Sequence, residues 1–79
     1  MRILLGIEGG IGKGIAATGA VKVAKENGHS VDIITAHPSI WEGNPNVNKV
    51  YDWNRVEYMS DFIKSYEKKN GADSYIALS

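Results

Sequence analysis

The chain has 79 residues, nine Lys and Arg against nine Asp and Glu, and no cysteine. At this length one core contributes only a few kcal/mol of net stability, so a single small domain over residues 1–79, without a linker, is the most the chain holds. The balanced charge supplies no domain-wide field for nucleic acid or an anionic membrane, and the missing thiols exclude a disulfide framework and Cys-type zinc or iron–sulfur sites.

In chain order, Arg2 to Ile7 (RILLGI) is a nearly continuous apolar run ending close to glycines, which predicts a parallel strand covered on both faces. The run is too short for a signal-peptide core or a membrane span and is followed at once by Glu8, so a cytoplasmic location is expected. Small and apolar residues recur at Ile15, Ala16, Gly19, Ala20, Val23 and Ala24, predicting a helix over Ile15 to Lys25 that can lie close on a sheet. Asn27-Gly28 closes it, with Gly28 suited to the left-handed position after a helix end. The β-branched segment Ser30 to Thr35 (SVDIIT) predicts a second strand, so strand, helix and strand fit in about 35 residues, as a βαβ unit requires. Pro38, Gly43, Asn44, Pro45, Asn46 and Asn48 make Ala36 to Asn48 a loop with room for one helical turn.

Lys49 to Trp53 predicts a short third strand anchored by Trp53. Val56, Met59, Phe62, Ile63 and Tyr66 then share one face of a second helix, with Phe62 and Tyr66 in the core and Lys68-Lys69 at its basic end. Ser74 to Leu78 predicts a fourth strand. Right-handed crossovers give an α/β fold, a Rossmann-like three-layer sandwich fragment with parallel sheet order 3-2-1-4 and a topological switch point between strands 1 and 4. Ligands bind in such crevices. The wall that would follow strand 4 is expected beyond Ser79, so the chain reads as the opening portion of a larger protein, and as a fragment with open sheet edges it is expected to self-associate.

The segment Glu8-Gly9-Gly10-Ile11-Gly12-Lys13-Gly14 joins the first strand to the first helix, placing main-chain N–H groups and a positive helix end beside a lysine. Gly9, Gly10, Ile11, Gly12, Lys13 and Gly14 are therefore the candidate phosphate- or substrate-binding residues; the plainer reading is a tight turn without a ligand. The stretch resembles the KGGVGKT loop of the ParA and MinD partition ATPases, but Glu8 and Gly14 stand where that loop has Lys and Thr, so the hydroxyl that ligates magnesium is missing. A degenerate P-loop is one reading of it. The dinucleotide fingerprint fits as Gly12-Lys13-Gly14-Ile15-Ala16-Ala17, yet the second strand ends in Thr35-Ala36-His37 where an acidic ribose ligand belongs.

A longer pattern spans the whole chain: MRILLGIEGGIGKGIAATGAVKVAKENG, then SVDIIT, then WEGNPNVNKVYDW, then ADSYIALS. In order and spacing these four segments resemble the N-terminal domain of heptosyltransferase-like glycosyltransferases (glycosyltransferase family 9), with its opening strand, GGIGD turn, AT helix, NPxV segment and YDLVIDL-type strand. The resemblance implies the first half of a GT-B N-terminal domain. It implies inverting transfer of a sugar from a nucleotide diphosphate sugar, of the ADP-heptose kind, to a hydroxyl of a glycan or lipopolysaccharide-type acceptor. No metal or further cofactor is implied, the donor being the substrate. A C-terminal domain would hold most of the nucleotide, and the full protein could meet the membrane peripherally.

One position departs from the family pattern: Lys13 stands where the family has the aspartate taken as general base. A protonated lysine cannot accept the acceptor's proton, although it can pair with a diphosphate as a point charge. Glu8, His37 and Glu42 are the loop groups able to take that role, each with a plainer reading as a solvated loop side chain. Trp41 and Trp53 are candidate platforms for a sugar ring, Trp53 having the plainer reading as the anchor of the third strand. Without a base the chain reads as a noncatalytic glycan- or phosphate-binding module.

Overall fold

Alternation along two strands decides the layering. β1 (Arg2–Ile7) turns Ile3, Leu5 and Ile7 to one face and Leu4 to the other, and β2 (Ser30–Thr35) likewise divides Val31 and Ile33 from Asp32 and Ile34. Both faces of the sheet are therefore buried, as side-chain alternation in a covered parallel sheet requires. The computed structural model describes residues 1–7, 11–71 and 75–78, with backbone alone for Ile11, Lys13 and residues 75–78. The expected strand residue Ser74 lies outside that set.

Three strands form the body of a parallel sheet, with β2 between β1 and β3 (Lys49–Asp52); Leu4 lies opposite Asp32 and Ile34 opposite Tyr51. β4 (Tyr75–Leu78) pairs in parallel with the other edge of β1, Ile3 opposite Tyr75 and Gly6 opposite Leu78, giving the order β3-β2-β1-β4. Helix α1 (Ile11–Glu26) covers one face through Ala17, Val21 and Ala24, and helix α2 (Met59–Asn70) covers the other through Met59, Phe62 and Tyr66. The result is a small α/β architecture compatible with a Rossmann-like fragment. Among the described residues no helix is long and apolar enough to cross a membrane.

Three boundaries differ from the sequence reading. α1 begins at Ile11, four residues before the predicted start, so Gly12, Lys13 and Gly14 belong to its first turn. Glycines there argue against helix on propensity alone, but Gly14 is buried against the next segment, and packing outweighs propensity. Trp53 leaves the third strand to open a 3₁₀ turn, Trp53–Arg55, and α2 starts only at Met59, leaving Val56 ahead of it. Between β2 and β3 the chain makes a 3₁₀ turn at Pro38–Trp41, which inserts Trp41 into the core on the α1 side.

α1 ends as its sequence predicts. Gly28 has φ +85°, its N–H donates to Lys25 O at 3.0 Å, and the N–H of His29 donates to Ala24 O at 3.1 Å, the paired bonds of a Schellman end. A methyl group at Gly28 would meet nothing within 4 Å, so Gly28→Ala tests the backbone alone. It should lower stability by about 1 kcal/mol. Gly19, exposed in the interior of the same helix with equally open space, should respond in the opposite direction, with Gly19→Ala stabilising by roughly 0.5–1 kcal/mol. Urea denaturation of the two variants reads both signs.

Candidate functional site

The carboxyl ends of parallel strands carry the ligand side of α/β sheets, and three segments leave the sheet at that rim here. After β1 the chain enters α1. Glu8, Gly9 and Gly10, which lie between them, are outside the described residues. After β2 come Thr35, Ala36 and His37; the buried Thr35 hydroxyl accepts the His37 main-chain N–H at 3.1 Å and fixes the start of the loop. After β3 the Asp52 carboxylate accepts the Asn54 main-chain N–H at 2.9 Å, and the Asn54 amide donates to Ala36 O at 3.2 Å, tying the second exit to the third.

The first turn of α1 is the electropositive element of this rim. Its opening N–H groups, Ile11 to Lys13, have no acceptor within the helix, and no acidic residue stands in that turn. Gly12 is exposed. Gly14 is enclosed: a Cβ there would come within 3.2 Å of Ile40 Cδ1 and 3.8 Å of Trp41 Nε1. Gly14 therefore allows the 3₁₀ turn to lie directly on the helix. Of the candidate phosphate ligands, Ile11, Gly12, Lys13 and Gly14 thus share one helical turn, while Gly9 and Gly10 cannot be placed.

Among the proton acceptors proposed from the sequence, His37 is half-buried immediately after β2 and Glu42 is exposed just past the 3₁₀ turn. Both stand on the segment that packs beside the start of α1. Trp41 corrects the sequence reading: only 1% of it is exposed, so its ring faces belong to the core and are closed to a sugar. An exposed aromatic is found instead at Tyr58, beside an open groove of ≈ 360 Å³ between the second 3₁₀ turn and the start of α2, with Arg55 and Asp61 also in its walls. Tyr58 falls outside the apolar spacing of α2, and nothing in the sequence singled it out. Among the described residues no group of three or more His, Asp or Glu stands together as a metal site.

A second polar cluster occupies the opposite end of the sheet. Asp32 is fully buried, and its Oδ2 accepts from Arg2 Nε at 2.8 Å and from the Tyr66 hydroxyl at 2.6 Å while Oδ1 accepts from the Asn48 amide at 3.2 Å. Every oxygen of the carboxylate has a partner, so the cluster's role is structural. Burial, reinforced by the hydrogen bond to Asp32, holds the Tyr66 phenol protonated far above its ordinary range, and burial also raises Tyr51. Comparison with known proteins adds no relative: no family model matches the chain, and no curated protein or solved structure matches it either.

The cluster generates two measurable outcomes. Asp32→Asn leaves a buried amide whose N–H groups face the donors of Arg2 and Tyr66, while the partly exposed Arg2 guanidinium keeps its water, and should cost about 2 kcal/mol. Because the folded phenol of Tyr66 ionises later than the unfolded one, its contribution is complete below about pH 10 and is lost as pH rises through the folded value. Denaturation midpoints should fall above that pH, and less steeply in Tyr66→Phe than in the native chain.

Proposed function

We propose that this chain supplies the acceptor-side portion of a glycosyltransferase that moves a sugar, of the ADP-heptose kind, from a nucleotide diphosphate sugar to a glycan or lipopolysaccharide-type acceptor in the cytoplasm. The observation that carries the reading is the series of four segments kept in order from RILLGIEGGIGKGI to ADSYIALS, which resembles the opening of the heptosyltransferase-like enzymes of the GT-B fold. The geometry supports it in two ways. The glycine-rich turn leads into the N-terminus of α1, a main-chain donor set suited to phosphoryl oxygens. The groove at Tyr58, Arg55 and Asp61 offers an aromatic face and charged groups, the chemistry that a sugar ring meets in binding sites.

In this reading the acceptor hydroxyl loses its proton as it attacks the anomeric carbon, and the nucleoside diphosphate leaves. Lys13, in place of the family's aspartate, then serves as a point charge for the diphosphate, while the proton goes to Glu8, His37 or Glu42. That same lysine favours a second reading, a phosphate- or glycan-binding module without turnover.

The native gene product, incubated with a panel of nucleotide diphosphate sugars and glycan acceptors, should release nucleoside diphosphate. One of Glu8→Gln, His37→Ala and Glu42→Gln should then lower kcat about a hundredfold with KM little changed, the signature of a lost general base. Saturable binding of a nucleotide sugar or glycan with no release above background would select the binding module instead.

A further inference from the structure

Two buried side-chain nitrogens, His29 Nδ1 and Trp41 Nε1, have no hydrogen-bond partner among the described residues. His29 precedes β2, at the end of the sheet away from the rim, and an imidazole can carry its single proton on the other nitrogen, leaving Nδ1 a mere unfilled acceptor. Trp41 has no such alternative. Its indole nitrogen is a donor only, and a buried tryptophan N–H normally finds an acceptor because an unmade hydrogen bond forfeits the hydration it gave up.

The surroundings of Trp41 Nε1 explain what kind of acceptor is wanting. The nitrogen lies beside Gly14, 3.8 Å from the point where a Cβ would stand, and so faces the first turn of α1 across the one position in that turn where a side chain is both absent and enclosed. A helix start offers donors: the N–H groups of Ile11 to Lys13 have no acceptor within the helix, and the carbonyls point the other way. A little further along, Ile15 O is taken by the Thr18 hydroxyl at 2.6 Å. Main-chain N–H groups and a helix dipole thus stand on the turn that the indole nitrogen lies against, with no carboxylate among the described residues of that turn. A species that brings several acceptor oxygens and negative charge fits this set; a single neutral water, which must also donate, fits it less well.

We propose that the Trp41 indole N–H is a positioning donor of the anion site, gripping one oxygen of a phosphoryl group seated on the first turn of α1. This inference rests on the reading of the glycine-rich turn as a phosphate site and adds to it the residue that fixes the depth and orientation of the bound group. It also gives Trp41 a role different from ring stacking: the indole edge, not its face, meets the ligand.

The test is a titration of the ¹⁵N-labelled native chain with inorganic pyrophosphate at constant ionic strength, followed through indole and main-chain N–H resonances. Trp41→Phe assigns the Trp41 indole signal by its disappearance. The expected result is a downfield shift of the Trp41 indole proton together with shifts of the Gly12 and Gly14 amides, while the Trp53 indole stays in place. Trp41→Phe should bind pyrophosphate about tenfold or more weakly, the loss of one hydrogen bond to a charged acceptor. If the α1 amides shift but the Trp41 indole does not, Trp41 is only a packing residue and the phosphate site stands without it. If neither moves at millimolar pyrophosphate, the phosphate reading itself falls and the inference with it. Should Trp41→Phe fail to fold, Trp53→Phe assigns the remaining indole signal to Trp41, and its shift in the native chain decides.

Discussion

A carboxylate without solvent can exist in this protein only because four segments converge on it. Asp32 belongs to the middle of β2; Arg2, at the start of β1, Asn48, just before β3, and Tyr66, in the third turn of α2, each give it a hydrogen bond. The energetic asymmetry of such a cluster matters more than its net value, since any arrangement that lost one donor would strand a buried charge. Sliding β1 against β2 by one residue would move Arg2 away from Asp32 and also turn Leu4 out of its apolar cluster. The ionic cluster and the alternation of apolar residues therefore specify the same register, and α2 is held to it by Tyr66. The ring contacts from Tyr51 to Phe62, edge to face at 5.1 Å, and from Phe62 to Tyr66 extend that hold along the helix.

Fixing the sheet at one end leaves the other end free for chemistry. The amino-terminal end carries the buried network, with its polar groups consumed by one another. At the carboxyl-terminal end the polar groups tie loop to loop, as Asn54 does between Ala36 and Asp52. The connection from β2 to β3 is unusual for a parallel pair in having no α-helix, only the 3₁₀ turn Pro38–Trp41. One large side chain does the covering that a helix would: Trp41 packs with Ile7, Val21, Val31 and Ile33, and the small residues of α1 permit the approach. This economy places the β2–β3 connection, with His37 and Glu42 on it, against the first turn of α1.

How much of this was legible in the sequence depended on the range of the forces involved. β1, β2 and the Schellman end at Gly28 are governed by local alternation and local backbone angles, and their limits could be read directly from RILLGI, SVDIIT and Asn27-Gly28. The start of α1 could not. Gly12 and Gly14 carry a weak intrinsic preference for helix, and the contact that makes Gly14 suitable comes from Ile40 and Trp41, more than 20 residues away. Asp32 was visible only as an acid inside an apolar strand; that it would meet Arg2, Asn48 and Tyr66 is a property of the assembled sheet. Trp41 misled for a related reason, because a tryptophan in a segment rich in Pro, Asn and Gly looks solvent-facing until the missing crossover helix creates a need to fill the space.

The same long-range contacts bear on the chemistry at position 13. An aspartate in the first turn of a helix is stabilised as the anion by the helix dipole and would lie among N–H donors, where it could answer them in the absence of a ligand. Lysine reverses that arrangement, adding a positive charge to a helix end that is already short of acceptors. The charge of the turn thus changes from self-satisfied to acceptor-demanding, and the demand grows if the Trp41 N–H joins it. A helix start of that charge favours an anion over a proton acceptor. Of the groups proposed as proton acceptors, His37 and Glu42 stand on the β2–β3 connection, which Ile40 and Trp41 draw onto α1.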